Sequence, residues 1–230
     1  AVPSLENISF CARAGQTIGV IGGTGAGKST LVNLISRAYD ASEGTVLIDG
    51  WDIRDYDRES LIRQIGVVPQ RAQLFKGSIR QNLLWGREEA SDDDLWAALE
   101  IAQAREVVKD KSGELDAPVS QGGANFSGGQ RQRLTIARAL VRKPKILILD
   151  DSASALDYAT DARLRMAIRD MKDPPTTFIV SQRAASVRYA DLILVLDDGE
   201  LAGMGTHSQL LENCSVYREI YDSQFSKEES

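Results

Sequence analysis

The sequence predicts an α/β fold: a parallel β-sheet covered by helices on both faces and interrupted by a helical insertion. Three observations carry this expectation. Residues 17–21, 146–149, 177–180 and 192–196 are short apolar runs, and a strand buried on both faces shows no polar alternation. Stretches with apolar residues at helical spacing separate these runs, which is the order of a parallel sheet with crossover helices. Between Leu74 and Ala124 the texture changes to charged amphipathic segments, with Leu95, Ala98, Leu99 and Ala102 on one face, and this stretch reads as an inserted lobe.

Taken in order, Thr17-Ile18-Gly19-Val20-Ile21 is a strand followed at once by glycines, and residues 29–38 form a helix through Leu31, Leu34, Ile35 and Ala38. Residues 45–49 and 65–68 read as further strands, with turns at Glu43-Gly44 and Asp49-Gly50. After the lobe, Leu134, Ala137 and Val141 line a helix over 131–142 that stops at Lys143-Pro144, because proline offers no N–H and clashes with the preceding turn. Residues 146–149 are apolar on both faces, as expected of an interior parallel strand. The polar tail 226–230 is expected to fray.

A chain of 230 residues suits one large domain carrying a lobe. Its 27 Lys and Arg against 33 Asp and Glu give a net charge of −6, and the basic residues are scattered, which argues against a nucleic-acid partner. Cys11 and Cys214 lie far apart without companions at metal-ligand spacing and read as buried structural thiols in a reducing compartment. With no apolar run long enough to cross a bilayer and no signal-like start, the expectation is a soluble piece that is not exported.

The chemistry begins at Gly22-Gly23-Thr24-Gly25-Ala26-Gly27-Lys28-Ser29-Thr30, which satisfies G-x-x-x-x-G-K-[ST] between a strand and a helix. Glycines let successive N–H groups turn toward phosphate oxygens, and the new helix aims its positive end at the same point. Lys28 supplies a mobile charge for the β/γ-phosphates and the Ser29 hydroxyl a ligand for Mg²⁺. A glycine-rich turn that holds nothing is the alternative. Asp150 closes the strand 146–149, where a carboxylate can reach the same metal, and the Gln70 amide oxygen is a further donor. Each of these two, taken alone, would pass for a solvated surface residue. A second anion-binding helix start follows Ser127-Gly128-Gly129-Gln130.

In this order the motifs resemble the nucleotide-binding domain of an ATP-binding cassette transporter, over nearly the whole chain. The phosphate loop is 22–30, the glutamine loop Gln70, the signature Ser127 to Gln130, the carboxylate strand ends at Asp150, and Ser154-Ala155-Leu156-Asp157 resembles the family's D-loop. The resemblance implies a P-loop NTPase (RecA-like) core with a small antiparallel β edge. A helical subdomain over about 74–135 would interrupt an ATP-binding core of 1–73 and 136–230. It implies ATP and Mg²⁺ as ligands, and two cassettes packed head to tail so that each ATP lies between one P-loop and the other signature. Asp157 would lie at that seam, with a helix N-cap before Tyr158 as a fair alternative that is compatible with it.

Segments 118–123 and 75–82 resemble exporters of the multidrug type, in which a membrane domain is fused upstream and the cassette works at the cytoplasmic face. A chain opening at Ala1-Val2-Pro3 then looks like a trimmed piece. The family's adenine-stacking aromatic lies upstream of Leu5, no Tyr precedes the P-loop, and Phe10 reads as a strand core residue.

Two departures bear on catalysis. Efficient members of the family place Glu directly after the strand-end Asp, and here the pair is Asp150-Asp151. One methylene less withdraws the base by about 1.5 Å, and a misplaced base costs about two to four orders of magnitude. The family's switch histidine is replaced by Gln182, which can donate to a γ-phosphate but cannot carry imidazolium charge. The single histidine, His207, lies well past that strand. Lys28, Asp151 and Gln182 are therefore the catalytic positions, the last two degenerate, in a chain expected to bind ATP well and hydrolyse it poorly.

With the signature intact, this resembles one member of a heterodimeric exporter whose partner chain keeps the Glu and His. Two other readings stay open: a homodimer using Asp151 as base, and a non-transport cassette clamp. Of the remaining residues, Trp51, Trp85 and Trp96 read as core or docking-surface aromatics. Arg131, Arg133, Arg138 and Arg142 read as the solvated face of a helix.

Overall fold

A computed structural model describes residues 4–225; the tail 226–230, the opening Ala1-Val2-Pro3 and the side chains of Ala153 and Ser154 lie outside the described residues. The elements run β1 (Thr17–Gly22), α1 (Lys28–Ile35), β2 (Leu47–Ile48), β3 (Trp51–Asp52), α2 (Arg58–Gln64), β4 (Ile65–Val68), β5 (Gly77–Ser78) and α3 (Ile79–Leu84). There follow α4 (Asp92–Ile101), α5 (Arg105–Lys109), β6 (Pro118–Val119), α6 (Gly128–Val141), β7 (Ile146–Asp150), α7 (Tyr158–Arg169) and β8 (Thr176–Ser181). The chain closes with α8 (Ala184–Val187), β9 (Leu192–Asp197), β10 (Glu200–Gly205), α9 (His207–Asn213) and α10 (Ser215–Phe225).

A six-stranded sheet in the order β10-β9-β1-β8-β7-β4 forms the core. Every neighbouring pair is parallel except β10 with β9, which supplies an antiparallel edge. The apolar strands divide their side chains between two cores. Ile18, Val20, Ile148, Phe178, Val180, Leu194 and Leu196 meet Leu31, Val32 and Ile35 of α1 on one face. On the other, Ile21, Leu147, Leu149, Ile179, Ile193 and Val195 meet α6, α7 and α8. Alternate residues thus go to opposite faces, and both faces are dry, which is why no polar alternation is visible. Each such side chain contributes roughly 1.5–3 kcal/mol.

The strand expected over 45–49 is cut short to β2, because the chain folds back as β3. Asp49 and Gly50 both take positive φ (53 and 81), the two-residue turn that matches strand twist. The helix expected over 29–38 stops at Ile35. Arg37 is left-handed (φ 52), and its guanidinium donates to the Ile53 carbonyl at 2.8 Å, which ties the chain to the hairpin instead. Phe10 lies outside any strand but packs edge-on to Phe178, with ring centroids 6.2 Å apart, so its core role holds without the strand.

Within the lobe, Leu95, Ala98, Leu99 and Ala102 are buried together as the helical spacing predicts. Capping boxes start α3 (Ser78 with Gln81) and α4 (Ser91 with Asp94). Arg80 pairs with Asp116 (2.8 Å) and with Asp92, while Asp94 pairs with Lys143 (2.7 Å) and Arg87. The Lys143 ammonium, with help from the Ser91 N–H and Arg87, holds the Asp94 carboxyl down at about 2.

Candidate functional site

The parallel register sets the site. Ile21 pairs with Ser181, Val68 with Leu149, and Asp150 with Val180, so the carboxyl ends of β1, β4, β7 and β8 line up along one edge of the sheet. Gly22 to Thr30 leave that edge from β1, Gln70 from β4, Asp150 and Asp151 from β7, and Gln182 from β8. Open parallel sheets bind ligands at this edge.

Turning from β1 into α1 demands glycine. A Cβ at Gly22 would stand 2.2 Å from the Leu196 carbonyl oxygen, and Gly27, at the N-cap of α1, has φ 93. No side chain caps α1, so its first-turn N–H groups face outward for a ligand to satisfy. Thr24, Gly25 and Ser29 are exposed, whereas Ala26 is buried in the core beneath them. Lys28 is only 9% exposed and curls over the loop, donating to the carbonyls of Gly22 (2.9 Å) and Gly23 (2.5 Å). Burial pushes its ammonium pKa down, while the charges of Asp151 and Asp150 work against that shift.

Asp150 is half-buried, and its carboxyl is pushed up by burial first and by Asp151 second, with Lys28 opposing. Asp151 takes a left-handed conformation (φ 45); its N–H donates to the Val180 carbonyl at 2.9 Å, and its carboxylate accepts from Gln70 Nε2 at 3.1 Å. Gln70 thus bridges two strands, with its amide nitrogen committed to Asp151 and its oxygen left for another role. Among the described residues no cluster of three or more His, Cys, Asp or Glu could hold a metal. The donors at this edge are one hydroxyl, one amide oxygen and carboxylates. That set fits Mg²⁺, which is bound through one or two carboxylates together with substrate phosphates.

Gln182 is exposed at the end of β8. Asp157 caps α7, accepting from the Thr160 N–H at 2.9 Å, so its N-cap reading holds.

Signature residues 127–130 differ in place from expectation: α6 begins at Gly128, so both glycines form its first turn instead of preceding it. Ser127 and Gln130 close a capping box. The Gln130 N–H donates to Ser127 Oγ (3.2 Å), and the Ser127 N–H donates to Gln130 Oε1 (3.0 Å). Gly129 lies against the D-loop-like stretch, where a Cβ would come within 3.1 Å of the Ala155 carbonyl oxygen. Phe126 is buried beneath the signature.

The arginines of α6 are not a solvated stripe. Arg131 donates to the Phe126 carbonyl (2.7 Å), Arg133 to Gln103 (2.7 Å), Arg138 to Gln73 (3.0 Å), and Arg142 to Ile62 (2.6 Å) and Gly86 (3.2 Å). Burial lowers the guanidinium pKa of Arg133, Arg138 and Arg142. Long stems reach past apolar surface to carbonyls at element ends, and charge periodicity alone gives no sign of this.

Trp51 (67% exposed) and Trp85 (64%) are surface residues and not core; Trp96 is partly buried against the lobe. Trp85 stacks on Phe75 with centroids 4.3 Å apart, and Arg138 lies 5.7 Å from the Phe75 ring. Together with Ile62, Gly86 and Arg142 they line a cavity of about 340 Å³. Cys214 is buried as expected, but Cys11 is exposed. No described helix is long and apolar enough to cross a membrane.

Comparison with known proteins agrees with this arrangement. A family profile described as ABC transporter matches residues 5–154. The uncharacterized ABC transporter ATP-binding protein YfiB of Bacillus subtilis is 47% identical over 227 residues, covering 99% of this chain and 39% of that protein. The β-(1→2)glucan export ATP-binding/permease protein NdvA of Rhizobium johnstonii is 45% identical over 206 residues, covering 90% of this chain and 35% of that protein. A solved structure of a bacterial Atm1-family ABC exporter with ATP bound superposes with a TM-score of 0.91 at 37% identity, over 96% of this chain and 39% of that one. The chain therefore spans well under half the length of these relatives. With a P-loop NTPase sheet, an inserted helical lobe and a matching profile over residues 5–154, this chain belongs to the ABC transporter family.

Proposed function

We propose that this chain is the ATP-binding domain of an ABC exporter, in which ATP binding and the pairing of two cassettes drive transport, with hydrolysis coupled to it. The observation that carries the reading is the carboxyl edge of the sheet. Lys28, Gln70, Asp150, Asp151 and Gln182 gather there, and the positions that follow Asp150 and Ser181 hold no glutamate and no histidine. Residues 22–30 bind the phosphates through backbone N–H groups, with Lys28 at the β/γ-phosphates. Ser29, Gln70 and Asp150 would supply oxygens to Mg²⁺, which when bound would offset phosphate charge.

Asp151 and Gln182 make the chain's own site slow. Ser127, Gly128, Gly129 and Gln130 complete the site of a partner cassette that keeps the glutamate and histidine, with Asp157 at the seam. The ATP-binding core is 1–73 and 136–230, and the helical subdomain about 74–135. A transmembrane domain belonging to the same transporter docks at the Phe75–Trp85 rim from the membrane, which places the cassette at its cytoplasmic face.

A second reading, a homodimer with Asp151 as base, draws support from the Gln70 bond that orients the Asp151 carboxylate. Steady-state Mg·ATP turnover separates the two, with binding measured in parallel. Tight binding, negligible wild-type turnover and a gain of about two to four orders of magnitude in Asp151→Glu/Gln182→His support a degenerate site. Brisk wild-type turnover, left unimproved by the double substitution, makes Asp151 a working base.

A further inference from the structure

The C-terminal helix reaches back to the loop that carries Gln182. Gln224, in the last turn of α10, accepts from the Ala184 N–H (2.8 Å) and donates from Nε2 to the Gln182 carbonyl (2.8 Å). One side-chain amide therefore satisfies both backbone groups that flank Arg183. The donor it meets is an orphan by construction: Ala184 opens α8, and its N-cap residue Arg183 supplies no side-chain acceptor. From the other side, Ser181 Oγ accepts from the Arg183 N–H at 3.0 Å, and Arg165 of α7 donates to the Ser186 carbonyl. The backbone from 181 to 186 is thus gripped by three elements, while the Gln182 side chain stays exposed.

Position along α10 is fixed in turn by aromatic contacts with α9. Tyr217 is fully buried, with its hydroxyl 2.8 Å from His207 Nδ1. The His207 ring lies 5.3 Å from that of Tyr221, which stacks on Phe225 at 4.3 Å. Gln224 occupies the turn that this ladder holds.

We propose that Gln224 is a positioning residue for the nucleotide site: it aims the Gln182 side chain by clamping its backbone, and so links α9 and α10 to the γ-phosphate position. This rests on the reading of Gln182 as the residue that meets the γ-phosphate. The clamp touches no nucleotide, so its loss acts on the one contact that Gln182 makes and leaves the phosphate loop intact.

The test measures ATP and ADP affinity separately in the full 230-residue chain for wild type, Gln182→Ala, Gln224→Ala, Gln224→Glu and the double alanine variant, with a thermal melt of each. The expected result is that Gln182→Ala and Gln224→Ala each lower the ATP-to-ADP affinity ratio by about fivefold, the scale of one hydrogen bond. Gln224→Glu, which keeps the acceptor for Ala184, should lie between Gln224→Ala and wild type. The double variant should fall no further than either single one, as for residues that act through one contact. A ratio that falls in Gln182→Ala but not in Gln224→Ala overturns the clamp alone. A ratio unchanged in Gln182→Ala removes the γ-phosphate reading and the clamp with it. Equal loss of ATP and ADP affinity in Gln224→Ala, or a lower melting temperature with no change in ratio, means a structural role only and also overturns it.

Discussion

The two helix starts proposed to meet phosphate are built in opposite ways. At α1 the N-cap is a left-handed glycine with no side-chain cap, and the adjoining lysine is folded back onto the loop's own carbonyls. At α6 the N-cap is a serine closed into a capping box with Gln130, which satisfies donors before any ligand arrives. The first start is incomplete alone and gains most from a ligand. The second is complete alone and would offer a hydroxyl and the glycine N–H groups without reorganisation. The chain thus keeps an uncapped helix start beside Asp151 and Gln182, and a side-chain-capped one at Ser127.

Lys28→Ala should break the comparison hardest. It removes the one buried cation of the open start, and ATP affinity measured by calorimetry should fall by about a hundredfold or more. Retained affinity would mean that the backbone N–H groups do the binding unaided.

Ser127→Ala should do the reverse. The lost cap costs about 1 kcal/mol, a melting temperature lower by about 2–4 °C, while the chain's own ATP affinity stays unchanged. An affinity loss in this variant would contradict the separation of the two ends.

Acid titration sharpens the contrast from outside, because neither helix start contains an imidazole. Burial and the Arg188 charge lower the pKa of His207 below its ordinary 6.5. The unfolded chain then takes up the proton first. Stability from this group is complete above pH 6.5 and declines as pH falls from there toward the lower folded value. A small drop in melting temperature over that window, absent in His207→Asn, is expected, because His207 is the only histidine.

Much of the core was legible because its signals are local. The apolar runs and the glycine loop each report on a few adjacent residues, and all became strands or turns close to where they were expected. The sequence places Asp150 and Gln70 at the ends of their strands, but not the geometry that joins them to one site. Gln70 meets Asp151 across 81 positions of sequence, and only strand register brings them together.

The α6 arginines misled because their periodicity matches an exposed face, although the carbonyls they meet lie on other elements. Gln224 carried no signal at all: a glutamine near a polar tail is an ordinary surface residue until a helix returns it to β8. The helix expected over 29–38 lost its last turn to Arg37, whose partner Ile53 lies 16 positions away.

The arginine contacts of α6 also have a mechanical consequence. Its C-terminal end is fastened by Arg142 to Ile62 of α2 and to Gly86 of the lobe, and its other end carries Ser127. Between them lie 14 residues of unbroken helix, a rod of about 21 Å. Pivoting by about 5° at the Arg142 end would swing the other by about 2 Å, enough to break the bonds of Arg131 to Phe126 and of Arg133 to Gln103 that hold it. The start of α6 therefore shifts only together with the lobe residues that Arg133 and Arg142 hold, Gln103 and Gly86.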